Sequence, residues 1–170
     1  ILDAARNNYL AAVCTGPGGF GMALFDLSTG AFSVEAVSDA EALRENLRRH
    51  APSELLVGAE ARGTATLVAA LDDCGAAAVT DVDDWTFEYD TAYDRLVRHF
   101  AVHSLEGFGC EGAPLLVGAA GALLHYVVDE LHHRVGHVRR LHVRHGDDFL
   151  LLDEATCANL DILPGRGRPA

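Results

Sequence analysis

The sequence predicts an α/β domain with a central mixed sheet covered by helices on both faces. Three observations carry that expectation. Residues 7–37 hold three apolar runs separated only by Gly16-Pro17-Gly18-Gly19 and Ser28-Thr29-Gly30, the pattern of an antiparallel meander. Glu54 to Ala59 (ELLVGA) is nearly all apolar, as in a strand buried on both faces. Downstream of the meander, helical patterns alternate with short strand patterns.

Taken in order, the first strand is expected at residues 7–15 (NNYLAAVCT), the second at 19–27 and the third at 31–37. Ser38-Asp39 ahead of Ala40-Glu41 is a helix N-cap signal. The helix it opens, about 39–51, should turn Ala42, Leu43 and Leu47 inward and leave Arg44, Glu45, Arg48 and Arg49 wet, with Pro52 as its stop. Strand 54–59 follows, then a helix over 64–74 closed by Gly75, then a strand over 76–82.

Asp90-Thr91 is expected to cap a helix to about His103, with Tyr93, Leu96, Val97 and Phe100 as its buried stripe. A glycine-rich loop over 105–113 leads to Pro114, which suits a first helical turn. Helix 114–131 is apolar almost all round, with Gly118 and Gly121 permitting close packing. Strands at 138–144 and 149–153, joined by a hairpin turn at Gly146-Asp147-Asp148, should finish the unit before a flexible tail at 163–170.

At 170 residues the chain fits one domain, or one domain with a stub of the next. The opening Ile1-Leu2-Asp3-Ala4 lacks Met and any basic-then-apolar leader, which is expected of a piece excised from a longer polypeptide. No apolar run approaches the ~20 residues that span a bilayer. Cys14, Cys74, Cys110 and Cys157 lie far apart without a C-x-x-C pair, so they are read as reduced, buried small hydrophobes of a cytosolic protein.

Charge excludes whole classes of chemistry. The chain has 25 acids against 13 bases, a formal charge of −12, and every base is arginine. Without lysine there is no Walker A phosphate grip, no Schiff base and no S-x-x-K nucleophile pair. The acidity also opposes direct nucleic-acid binding, in which phosphate neutralisation supplies most of the affinity.

The order of three antiparallel strands, then helix and strand in alternation, is that of the RNase H-like fold. Nucleases on that fold hold two divalent metals with three or four carboxylates, one of them in the middle of the first strand. Here the first strand carries no acid. Asp26 ends the second strand directly before Leu27-Ser28-Thr29-Gly30, where an Asp side chain bonds the turn's own N–H groups. The turn reading is favoured; the alternative is a divalent-metal nuclease using Asp26, with Glu60, Asp81, Asp83 or Asp84 converging on it.

His132, His133 and His137 raise a structural zinc site, but Gly136 interrupts them and their spacing differs from H-E-x-x-H. His125 and Asp129, one helical turn apart, suit a hydrogen bond as well as a metal. The loop G-F-G-C-E-G-A-P follows no strand and carries Glu106 and Glu111, which would repel phosphate. Ser104 lies in no G-x-S-x-G elbow. No constellation that runs a reaction remains, so no catalytic, cofactor or metal residue is assigned.

Several separate motifs resemble the connector domain of bacterial MutS proteins, which recognise mismatched DNA. They are Asn7-Asn8-Tyr9-Leu10-Ala11-Ala12, the run from Ala23 to Phe32, and Pro52-Ser53-Glu54-Leu55-Leu56. Trp85 with Phe87, Leu105-Glu106-Gly107-Phe108-Gly109, the run from Ala119 to Tyr126, and the run from Asp153 to Asp161 complete them. The resemblance spans residues 5–162, with one small departure: the family usually has Glu where Asp161 stands.

The resemblance implies an RNase H-like connector over residues 1–158, without nuclease carboxylates, followed at 159–170 by the start of the core or lever domain. It implies a non-catalytic module that links the mismatch-binding and core domains, relays conformational change and docks MutL. The parent would be a cytoplasmic homodimer that binds mismatched DNA and hydrolyses ATP with Mg²⁺. This chain has neither the mismatch-reading Phe-x-Glu motif nor a P-loop lysine, so it should need no cofactor and contact DNA little. Solvated faces of rigid elements are the expected docking surfaces. The candidates are Asp94, Arg95 and Arg98 on the polar face of helix 90–103, and the acidic turn Asp81, Asp83 and Asp84.

Overall fold

The structure, a computed structural model, describes residues 8–145. Its elements in chain order are β1 (Tyr9–Gly16), β2 (Gly19–Asp26), β3 (Phe32–Val37), α1 (Ala40–His50) and β4 (Glu54–Gly58). There follow α2 (Ala65–Leu71), β5 (Val79–Val82), α3 (Tyr89–Phe100), α4 (Pro114–His125) and β6 (His142–Arg144).

The strands form one six-stranded sheet in the order β5-β4-β1-β2-β3-β6. β2 runs antiparallel to both its neighbours, and the pairs β1–β4, β4–β5 and β3–β6 are parallel. The run β3-β2-β1-β4-β5, with only β2 reversed, is the RNase H-like order expected from the sequence. The hairpin between β1 and β2 closes through Pro17-Gly18, its register running from Tyr9 opposite Asp26 to Gly16 opposite Gly19.

Each central strand is apolar on both sides because both sides are covered. Ala11, Val13, Leu55 and Val57 enter a core with Leu43 and Leu47 of α1 and Leu67 of α2. Leu10, Ala12, Cys14 and Leu56 enter the opposite core, beneath Leu96 of α3 and Val117 and Leu123 of α4. Two layers of helix thus remove the period-two signal that a one-sided sheet would show.

α4 is the innermost helix, with every residue from Leu116 to Leu124 buried. Its backbone sits directly on the sheet. A Cβ added at Gly21 of β2 would lie 2.1 Å from the carbonyl oxygen of Leu115, a main-chain atom that no rotamer change can move. On the far side of α4, a Cβ at Gly121 would fall 2.3 Å from Ala92 Cβ of α3. Side chains at either point would push whole elements apart.

Two carboxylates of the sheet are buried among the described residues, Asp26 at the end of β2 and Glu35 within β3. Glu35 of β3 is 3% exposed and meets Arg144 of β6 at 2.7 Å. Arg144 also lies 3.2 Å from His50 Nε2. A guanidinium only donates, so Nε2 is the acceptor and Nδ1 carries the proton, which it gives to the Asn46 carbonyl at 2.9 Å. Asn46, buried in α1, also receives a side-chain hydrogen bond from Arg49. This cluster ties the edge strand β6 to α1 across β3, and His50 is neutral in it. Burial, reinforced by the charges of Arg144 and Arg49 and opposed by the Asn46 carbonyl, holds His50 below its ordinary value of 6.5.

Each element predicted within the described residues is found, several of them shorter. The helix expected over 64–74 ends at Leu71, and Asp73 follows with φ +55°. Strand 76–82 begins only at Val79. The helix expected from Asp90 starts one residue earlier, at Tyr89, with Glu88 in the N-cap position and no side-chain cap hydrogen bond. It stops at Phe100, where Ala101 turns left-handed and sends its N–H back to Val97 and Arg98. Helix 114–131 is α-helical to His125 and continues as a π turn over Tyr126–Glu130. Strand 138–144 pairs only over His142–Arg144, because Val138 and Leu141 bury into the core from an irregular segment. The expected turn at 146–148, strand 149–153, tail 163–170 and boundary at 158 lie outside the described residues.

Two predictions follow from this packing. Gly21→Ala should destabilise the fold by about 3 kcal/mol, lowering Tm by about 10 °C; an unchanged melt would show that α4 does not sit on β2 as described. His50 contributes stability fully above pH 6.5 and loses it as pH falls through its depressed folded value. Denaturant titrations at pH 7.5 and 5.5 should therefore show a larger acid loss in the parent than in His50→Gln, and equal losses would refute the neutral, buried His50.

Candidate functional site

Asp26 is used by its own turn. Its Oδ1 accepts from the N–H of Ser28 at 2.8 Å and of Thr29 at 3.4 Å, while Gly30 N–H bonds the Asp26 carbonyl at 2.7 Å. The side chain is buried at 8% exposure against those donors. Among the described residues, no three His, Cys, Asp or Glu side chains converge to hold a metal ion. His132 and His133 sit in the turn after α4, where His133 N–H bonds the Val127 carbonyl at 3.0 Å. Cys14, Cys74 and Cys110 are free and buried.

The glycine-rich loop before α4 is closed by an acid, as a phosphate cradle would not be. Glu111 Oε1 accepts the N–H of Leu105 at 2.8 Å and the hydroxyl of Tyr93 at 2.9 Å. Tyr89, one helical turn earlier on α3, offers its hydroxyl oxygen to Gly112 N–H at 3.0 Å.

The polar face of α3 is split between two jobs. Arg98 pairs with Asp94 at 3.0 Å, one turn away and well exposed. Arg95 instead reaches α4's continuation, where it donates to Asp129 Oδ2 at 2.8 Å. His125 Nδ1 donates to the same oxygen at 2.9 Å, the one-turn hydrogen bond that the sequence spacing suited. Surface pairs of this kind add little to stability, so their effect is to hold Arg95 and His125 in fixed positions.

Trp85 stands over this group. It belongs to a short 3-10 turn, Asp84–Phe87, and is 48% exposed, one of the two exposed large apolar residues among the described residues. Its ring meets His125 edge-on at 5.3 Å between centroids. A cleft of about 400 Å³ opens beside it, walled by Trp85, Asp94, Arg95, Arg98, His125 and Val128.

The acidic turn occupies the other side of the same group. Asp81 pairs with Arg62 at 2.7 Å, and the Asp83 carbonyl accepts from Thr86 Oγ1 at 2.7 Å. Asp84 is structural: its carboxylate caps the N–H groups of Glu60 at 2.8 Å and Ala61 at 3.4 Å. It lies so close to β4 that a Cβ at Gly58 would be 2.0 Å from it. Asp81 and Asp83 line a second cleft of about 400 Å³, together with Tyr126 and Glu130. Burial, with the Glu54 carboxylate it donates to, pushes the Tyr126 phenol up to about 12.

The two candidate patches therefore adjoin. Thr86 and His125 line both clefts, so Asp94, Arg95 and Arg98 on one side and Asp81 and Asp83 on the other bound one continuous surface. Sequence reasoning missed Trp85 as its centre. A lone Trp inside a predicted loop, away from any apolar stripe, was the available signal.

A sequence profile described as MutS domain II matches residues 8–139. The chain is 38% identical over 162 residues to the DNA mismatch repair protein MutS of Desulfatibacillum aliphaticivorans, covering 95% of this chain and 18% of that protein. It is 41% identical over 167 residues to the MutS of Myxococcus xanthus, covering 96% of this chain and 18% of that protein. The MutS of Salinibacter ruber is 35% identical over 167 residues, with 96% of this chain and 18% of that protein covered. The chain thus spans about 18% of the length of these relatives. A sheet of RNase H-like order and a profile match along nearly all of the described residues agree: the chain belongs to the MutS domain II family, the connector domain of DNA mismatch repair proteins.

Proposed function

We propose that this chain is the non-catalytic connector of a larger MutS protein, and that the surface around Trp85 docks MutL. In this reading the parent is a cytoplasmic homodimer that binds mismatched DNA and uses ATP with Mg²⁺, while this domain links the mismatch-binding and core domains and relays movement between them. That the domain is one part of a larger protein accords with the small share of its relatives that the chain covers. The docking role rests on one observation: an exposed Trp set between a fixed Arg–Asp–His group and an acidic rim. Trp and Arg are the residue types that most often carry binding energy at an interface, and a partner that covers Trp85 also covers Arg98 and Asp94.

Titration calorimetry with the amino-terminal ATPase domain of MutL tests the docking surface. Trp85→Ala should weaken binding by about 30-fold, in line with ~2 kcal/mol for a central anchor. The triple charge reversal at Asp94, Arg95 and Arg98 should weaken it at least as much. Affinity unchanged in both variants, with melts like the parent's, would remove this face from consideration.

A further inference from the structure

Charge is distributed unevenly along this acidic chain. Residues 132–145, HHRVGHVRRLHVRH, hold four of the 13 arginines and five of the nine histidines and contain no acid. Asp129-Glu130 bound the stretch on one side and Asp147-Asp148 on the other. The domain's net charge therefore hides one strongly basic segment.

The fold holds this segment in place. Val138 and Leu141 are buried at 4% exposure each, and His99 Nε2 bonds the Val138 carbonyl at 2.8 Å. β6 then pairs with β3, where Arg144 is engaged with Glu35. Between and before these anchors Arg134, Arg139 and Arg140 stand exposed, as does His142. Among the described residues, no acid forms an ion pair with any of these three arginines.

A groove of about 550 Å³ runs beside the segment, lined by Arg140, His142 and His145 on one wall and by Gly107, Phe108 and Gly109 on the other. A Cβ at Gly107 or Gly109 would meet nothing within 4 Å, so the groove-lining part of this wall is bare backbone around one aromatic ring; the exposed Glu106 precedes it in the chain but is not among the groove's lining residues. Phe108 is braced behind by Phe100, at 4.8 Å between ring centroids.

We infer that residues 132–145 and the groove at Phe108 form a binding site for the phosphodiester backbone of DNA. Guanidinium forks match phosphate oxygens two at a time, and imidazole N–H groups donate to the same oxygens. Runs of basic residues without acids are the electrostatic footprint of nucleic-acid contact, and a ring in a basic groove adds a surface for a base or sugar. The acidic remainder of the surface does not cancel this. Beyond a Debye length of ~8–10 Å its field is screened at moderate salt, so a phosphate feels the segment it touches. This groove shares no lining residue with the cleft beside Trp85, so DNA contact here is independent of MutL docking.

Fluorescence anisotropy of a labelled duplex of about 20 base pairs, titrated with the 170-residue chain at pH 7.5, tests it. With three phosphates neutralised, the salt slope should be about −2.7, so affinity should fall about 40-fold between 50 and 200 mM salt. Arg134→Gln/Arg139→Gln/Arg140→Gln should weaken binding at 50 mM at least tenfold and flatten the slope, while the corresponding triple Arg→Lys variant restores it. Arg48→Gln/Arg62→Gln/Arg98→Gln, with the same change in net charge elsewhere, should stay within about twofold of the parent. The inference is overturned if the parent does not bind the duplex, if the control triple loses as much affinity, or if polyglutamate competes as well as unlabelled duplex.

Discussion

The structure depends on main chain meeting main chain at α4. Gly21 lets the first turn of α4, at Leu115, lie on β2, and Gly121 lets α3 close over the opposite side at Ala92. Gly118 does the same toward the Phe87 carbonyl, at 2.5 Å from its would-be Cβ. With no side chain in the way, three layers stack at separations that ordinary residues would forbid. The turn carrying Trp85, the face of α3 carrying Arg95 and Arg98, and the end of α4 carrying His125 all take their positions from those contacts. The surface is therefore placed by the core beneath it, and a change in α4's seating would reach Trp85 directly.

The acids of the sheet region serve the same scaffold. Asp26 holds the turn after β2, Asp39 caps α1 through Ala42 N–H at 2.8 Å, Asp84 caps the turn after β4, and Glu111 closes the loop before α4. Each accepts from backbone N–H groups that would otherwise be orphaned, the use of a carboxylate that best suits a connector. Nucleases of similar topology gather such oxygens around cations; here they are distributed, one to each turn. Glu35 works through a side-chain partner instead, as Glu54 does in accepting the hydroxyls of Thr80 and Tyr126. Buried with Arg144, Glu35 joins the sheet edge to the helix layer and so anchors the basic segment that β6 ends.

Much of the fold was legible in the sequence because local signals and tertiary packing agree. The meander, the doubly buried β4, the cap at Asp39, the start of α4 at Pro114 and its all-apolar run follow from turn chemistry and apolar runs. Element ends were less legible. α3 stops at Phe100 because Ala101 adopts a left-handed conformation without a glycine to announce it, and α4 loosens into a π turn that apolar content alone cannot reveal. β6 was overextended because Val138 and Leu141 look like strand residues but bury from an irregular path. Of the docking candidates, Asp94, Arg98, Asp81 and Asp83 do face solvent, whereas Asp84 is a backbone cap and Arg95 is drawn toward Asp129. Those contacts join residues 24 and 34 positions apart, beyond the reach of any spacing rule. The two patches meet through His125 and Thr86 for the same reason.

The most direct measurement is equilibrium unfolding of Gly121→Ala, followed by the emission of Trp85, the chain's one tryptophan. Helix propensity by itself would make this substitution stabilising by ~1 kcal/mol. Contact with Ala92 acts the other way and is larger, so the variant should lose about 1–3 kcal/mol and the folded-state emission of Trp85 should shift as α3 and α4 separate. A variant as stable as the parent, with Trp85 emission unchanged, would contradict the close seating of α4 on which the surface is built.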